Sequence, residues 1–265
     1  MFVIRKYCIP LIMMLLCVAC NLTPKLETNN GIDATVEMRR YDIPEIRYIT
    51  TGDFSAQQHL FVDYPRETRT LIEDILRLGR VDDPEINSKF LNLYQDSRFQ
   101  FIISDVDLQY ADMSDINKQL SEAFERLHKL VPDVEVPQVY SQVGALNQSV
   151  TVADGMICVS LDKYLGTDYP IYSQFYTEQQ RQFMTRDYIV PDCISFYLMS
   201  VFPIVEDMHP SRYDKDIYIA KVQWLTNKVT RRTIFEGIYI DKVDNYMKKN
   251  SKTTVRELFE GSITI

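Results

Sequence analysis

Glycine is scarce and never clustered: there are 8 in 265 residues, and no two lie within three positions of each other. A G-x-G-x-x-G turn or a P-loop needs glycines close together so that backbone can approach phosphate, so dinucleotide-binding and P-loop NTPase functions are excluded. No G-x-S-x-G sequence occurs, which removes the hydrolases built on that nucleophile turn. The only histidines are His59, His128 and His209, and the nearest two are 69 residues apart. No pair therefore has the i, i+4 spacing by which two imidazoles on one helix face grip zinc. Positive charge is also in deficit, with 29 Lys+Arg against 37 Asp+Glu and a formal net charge of −8. That balance argues against nucleic-acid binding, which needs a cationic surface to release counterions. Internal repeats and low-complexity tracts are absent.

What is present begins at the N-terminus. Arg5 and Lys6 precede an apolar run from Ile9 to Ala19, and small Ala19 precedes Cys20, the pattern of an export signal. Eleven residues at ~1.5 Å rise span roughly half of a ~30 Å hydrocarbon core, too little for a mature transmembrane helix. Leu16-Cys17-Val18-Ala19-Cys20 resembles the lipobox of bacterial lipoproteins, with Cys17 where leucine is usual. The resemblance implies cleavage before Cys20 and acylation of its thiol and new amine by palmitate-type chains. An ordinary signal peptide, cleaved or not, is the alternative. On the lipoprotein reading, residues 1–19 are the signal peptide and 20–40 a lipidated, polar tether. A single globular domain then fills 41–265. Two or three acyl chains, at ~0.8 kcal/mol per buried CH₂, make membrane attachment effectively permanent. Loss of Arg5 and Lys6 with the leader leaves 27 basic against 37 acidic residues, a net of about −10. Asn21 to Lys25 lacks the acidic cluster that often marks surface export in Bacteroidota-type lipoproteins, which favours a periplasm-facing chain. The remaining cysteines, Cys158 and Cys193, allow either one bridge or two small buried apolar groups.

Along the domain, helix signals dominate. Pro65 opens a segment with Leu71, Ile72, Ile75 and Leu76 at helical spacing, closed by Gly79. Asp83-Pro84 leads into Ile86, Phe90 and Tyr94. Met113, Ile116, Leu120, Phe124, Leu127 and Val131 mark one long amphipathic helix ending at Pro132. Thr177 with Gln180, and Thr254 with Glu257, form capping boxes. Further helices are expected around 217–229 and 240–247. Residues 99–103 (FQFII) read as a short strand, and 137–145 with 150–160 as an antiparallel hairpin around 146–148. The fold class is thus α+β, mostly helical with a small sheet. Residues 161–176 fit neither period and read as an ordered, aromatic, acidic loop.

The run Cys158 to Pro170, containing Ser160-Leu161-Asp162-Lys163-Tyr164-Leu165-Gly166-Thr167-Asp168-Tyr169-Pro170, resembles the signature of the GldB family, gliding-motility-associated lipoproteins of the Bacteroidota. The helix from Tyr188 to Phe202 and the stretch Asp241 to Glu260 resemble the family as well. Trp224-Leu225 runs almost directly through Thr230–Phe235 into the final helices, where the family pattern is longer, so the region near 225–236 resembles a shortened version. The resemblance implies a cell-envelope lipoprotein associated with gliding motility and type IX secretion, acting by contacts with other envelope proteins. The family is also distantly similar to zincin peptidases. Residues 189–202 stand where the zinc-binding helix would be and carry neither His nor Glu, which implies a degenerate, non-catalytic zincin-like scaffold.

The candidate interaction loop comprises Asp162, Tyr164, Asp168, Tyr169 and Tyr172. Tyrosine offers broad, rigid contact area with a polar tip, which suits interfaces when exposed and a hydrogen-bonded core when buried. Asp162 and Asp168 also suit acid/base work, or plain structural capping of turns. Glu206-Asp207-Met208-His209 groups three metal-ligand types in a polar loop. No catalytic residue, metal, cofactor or small-molecule substrate is implied. The alternatives are an envelope hydrolase with an acidic or tyrosine-lined site and a periplasmic ligand-binding lipoprotein.

Overall fold

The computed structural model describes residues 35–204, 210–261, 263 and 265. The chain enters along the sheet edge. Val36 and Met38 are buried, upstream of Tyr41, and Arg39 exchanges backbone hydrogen bonds with Val139 and Ser141. Helices α1 (Asp42–Thr51), α2 (Phe54–Asp63) and α3 (Pro65–Arg69) follow, and their boundaries have chemical causes. Gly52 turns left-handed at φ 67° and returns its N–H to the Tyr48 carbonyl. Asp53 then caps α2 by accepting from the Ser55 and Ala56 N–H groups. The helix opened by Pro65 continues as a π-helical stretch, Thr70–Ile75, in which Leu71, Ile72 and Ile75 face the core. Helices α4 (Ile86–Leu93), α5 (Ser97–Gln109) and α6 (Ser114–Leu130) come next. α6 buries Ile116, Leu120, Ala123, Phe124 and Leu127, the stripe that the spacing predicts.

Residues 99–103 are not a strand. They lie inside α5, which Asp96 caps through the Arg98 N–H and which buries Ile102, Ile103 and Val106. A five-residue apolar, β-prone run is too short to outweigh helical spacing that persists over thirteen residues.

The hairpin also differs from expectation. Strand β1 (Gln138–Gln142) pairs in parallel with β3 (Met156–Ser160), while β2 (Val150–Ala153) pairs with β3 antiparallel, giving the order β1-β3-β2. The tight turn is Asp154-Gly155, at φ 51° and 72°, and both sit inside the segment read as one strand. Two successive positive-φ residues, Asp-Gly above all, suit a two-residue hairpin turn whose twist matches the strands. All five residues of β3 are buried, as a strand covered on both faces must be.

Beyond β3 come 3₁₀ turns at Leu161–Lys163 and Pro170–Gln174, then α7 (Glu178–Arg181) and α8 (Ile189–Val201). α9 (Arg212–Thr230), α10 (Ile238–Lys249) and α11 (Val255–Glu260) complete the chain. The capping boxes at Thr177 and Thr254 are formed, and Ser211 with Asp214 makes a third. α8 packs on β2, β3 and α6, and α9 lies across α6 and α8. This is an α+β fold: a three-stranded mixed sheet within a helical majority. No helix among the described residues is long and apolar enough to cross a membrane. The expected signal peptide, the expected lipid site Cys20 and the Glu206–His209 cluster lie outside the described residues.

Candidate functional site

The connection from β1 to β2 is strained, and a set of buried carboxyls holds it. Ala145 and Leu146 take φ 49° and 61°, a region that side chains with a Cβ disfavour. Asp162, at the end of β3, accepts from the Gly144 N–H at 2.8 Å and the Leu146 N–H at 2.5 Å. Glu45 of α1 accepts the neighbouring Val143 N–H at 2.8 Å, and the Tyr94 hydroxyl donates to the Val143 carbonyl at 2.6 Å. Gly144 is required by crowding: a Cβ there would lie 2.5 Å from Ser160 Oγ. Burial pushes the Asp162 carboxyl up in pKa, while the Leu146 and Gly144 N–H groups and Lys163 pull it down. Burial pushes Glu45 well above the ordinary carboxyl range, and nearby Asp162 and Asp42 add to the rise. Both oxygens of Asp162 are occupied by backbone, so its chemistry here is to clamp a turn.

The tyrosines of the loop do similar work. Tyr172 is buried, donates to the Asp162 carbonyl at 2.5 Å and accepts the Leu165 N–H at 3.0 Å. Tyr164 is buried and donates to Asp192 of α8 at 2.7 Å, while its carbonyl accepts from Tyr110 at 2.6 Å. Tyr176 donates to the Leu146 carbonyl and accepts from Lys163 Nζ, both at 2.7 Å. The ends of the loop meet in a bridge between Leu165 and Thr185, and Gly166, at φ 125°, sends its N–H to the Met184 carbonyl. Residues 165–185 therefore form a closed surface loop packed by its own rings, an Ω-type arrangement. Burial raises the Asp192 carboxyl to about 6, and the bond from Tyr164 opposes the rise.

Of the candidate interaction residues, Asp162, Tyr164 and Tyr172 are inside, Tyr169 is half-buried and Asp168 is exposed. The structure joins Tyr172 to Asp162 by a hydrogen bond at the loop base, sends Tyr164 to Asp192 of α8, and leaves Asp168 exposed. Cys158 and Cys193 are buried free thiols whose pKa burial pushes up. Beyond Phe175 and Phe183 of the loop, exposed contact area lies on α5. Phe101 and Leu108, on the outer face of α5, are 69% and 80% exposed, and Asp105 between them accepts the Tyr169 hydroxyl at 2.7 Å. The strand reading of 99–103 hid this face. The signal that finds it is Phe101, Asp105 and Leu108 at i, i+4 and i+7, opposite Ile102 and Val106. Among the described residues, no three of His, Cys, Asp and Glu converge so as to hold a metal ion. A cavity of about 790 Å³ lies apart from the loop, between α9 and α10, with Trp224 and Phe235 among apolar walls and Arg231, Lys228 and Asp244 among polar ones.

The sequence matches the family model described as gliding motility protein GldB over residues 22–236. The chain belongs to that family, whose name marks it as a gliding-motility-associated lipoprotein. The match takes in the Asp162 clamp, the closed loop and α5, and it ends before α10 and α11, so the likeness read in Asp241 to Glu260 lies outside the matched span. No curated protein and no solved structure matches the chain.

Proposed function

We propose that this GldB-family chain is held at a membrane surface by lipid on Cys20, facing the periplasm, and works by docking other envelope proteins without bond-breaking chemistry. Tethering raises the effective concentration of the domain for neighbours in the same envelope, so modest contacts suffice. The observation that carries the reading is the distribution of polar and apolar groups. Asp162, Tyr164 and Tyr172 of the family-like loop are spent on internal hydrogen bonds. The large side chains offered to solvent beside it, Phe101 and Leu108, are inert and suited to contact. Membership of a gliding-motility family supports placing the partners in the gliding apparatus and the associated type IX secretion machinery.

A Cys20→Ala variant tests the anchor. It is expected to lose incorporation of a labelled fatty acid and to move from the membrane to the soluble fraction. Retention of membrane attachment in the unlabelled variant contradicts the reading. A second reading, a periplasmic ligand-binding lipoprotein, draws on the cavity of about 790 Å³ between α9 and α10, a volume in the range of small-molecule sites.

A further inference from the structure

α5 is amphipathic in an unusual sense. Ile102, Ile103 and Val106 face the core, yet the opposite side is not uniformly polar. Phe101 and Leu108 stand there 69% and 80% exposed, and Asp105 lies between them, one turn from each. The Tyr169 hydroxyl on Asp105, at 2.7 Å, joins the closed loop to this face. From Tyr169, ring contacts of 5.0, 5.8 and 6.5 Å run through Tyr172 and Tyr176 to Phe175, itself 54% exposed. The surface is thus apolar and backed by a rigid ring ladder.

Its charge is one-sided. Asp105 of α5 and Asp168, next to Tyr169, form no ion pair among the described residues. The arginines of α5 and the loop are committed, Arg98 to Asp96 and Arg181 inward to the Thr167 carbonyl, and nearby Arg186 pairs with Asp115. Two copies meeting here would set acid against acid. An anionic bilayer would be repelled, since interfacial helices carry Lys and Arg beside their apolar face.

We propose that the outer face of α5, with the Tyr169 edge of the adjoining loop, docks a segment of another envelope protein that carries Lys or Arg among apolar side chains. This rests on the docking reading above and names where it happens and with what chemistry. Phe101 and Leu108 supply the buried anchors, and the carboxylates steer a cationic partner and reject acidic ones.

The test uses the full chain in its own cells, with a benzophenone amino acid in place of Phe101, Leu108 or, as a control, Ile238, which is also 69% exposed but on α10. The expected result is a protein adduct at positions 101 and 108, absent at 238, whose crosslinked peptide is rich in Lys or Arg. Combining the crosslinker with Asp168→Lys is expected to reduce the adduct about tenfold. A thermal melt matching the parent shows that the fold survives these changes. Adducts only to lipid, to a second copy, or to a neutral or acidic peptide overturn the proposal. Protein adducts at 238 alone overturn it while leaving docking as such intact. No protein adduct at any of the three positions sinks both.

Discussion

Asp162 has both carboxylate oxygens on backbone N–H groups of a turn that carries two non-glycine residues at positive φ. Replacing it with alanine strands those donors in or near the core, so Asp162→Ala should lower stability by about 3 kcal/mol, and Asp162→Asn, which keeps one acceptor oxygen, by less. Urea midpoints of the purified domain check this. A midpoint unmoved in Asp162→Ala removes the clamp from the account. Asp192 makes a pH-dependent prediction. Its carboxyl is raised from 3.8 to about 6 by burial, so the folded chain holds that proton more tightly than the unfolded chain. Stability from this group is therefore full below pH ~4 and is lost as pH rises through ~6, in all about 3 kcal/mol. Asp192→Asn still accepts from Tyr164 and has nothing to ionise. Its melting temperature should exceed the parent's at pH 7 to 8, and the slope between pH 4 and 6 should shrink, the remainder coming from Glu45 and Asp162, whose pKa values are also raised. Parallel curves for parent and variant would rule this out.

At the scale of elements, the two misreadings have separate causes. In α5, five β-prone apolar residues resemble a short strand, and only the longer window with Ile102, Ile103 and Val106 reveals the helix. The helix exposes Phe101, whereas a core strand would bury it or its neighbours alternately. Phe101→Lys should accordingly change stability by no more than about 0.5 kcal/mol, as surface substitutions do. A loss of several kcal/mol in a denaturant titration would restore the strand. In the sheet, the turn dipeptide Asp154-Gly155 is a local signal and could have been read. The parallel pairing of β1 with β3 could not, because it joins segments eighteen positions apart, as Gln138 with Met156 and depends on what covers the sheet.

For the whole molecule, α9 through α11 show that the fold extends past the family match. Trp224 donates to Asp244 of α10 at 2.9 Å, and Ile240, Val243 and Leu258 are buried in the shared core. Deleting residues 237–265 exposes the α9 surface they cover and should abolish cooperative unfolding, read as loss of a sharp transition in circular dichroism. A truncated chain that melts as sharply as the parent would mark the last two helices as accessory.

The sequence by itself determined the caps, the long amphipathic stripe of α6, the α+β class and membership of the family, because each depends on residues close together in the chain or on a linear motif. Only the tertiary structure decided that Asp162, Tyr164 and Tyr172 point inward. The physical reason is that a tyrosine or an aspartate is stable either solvated or buried with its hydrogen bonds satisfied. Which state wins depends on donors such as the Gly144 and Leu146 N–H groups, which the chain's path, and no local pattern, brings within reach.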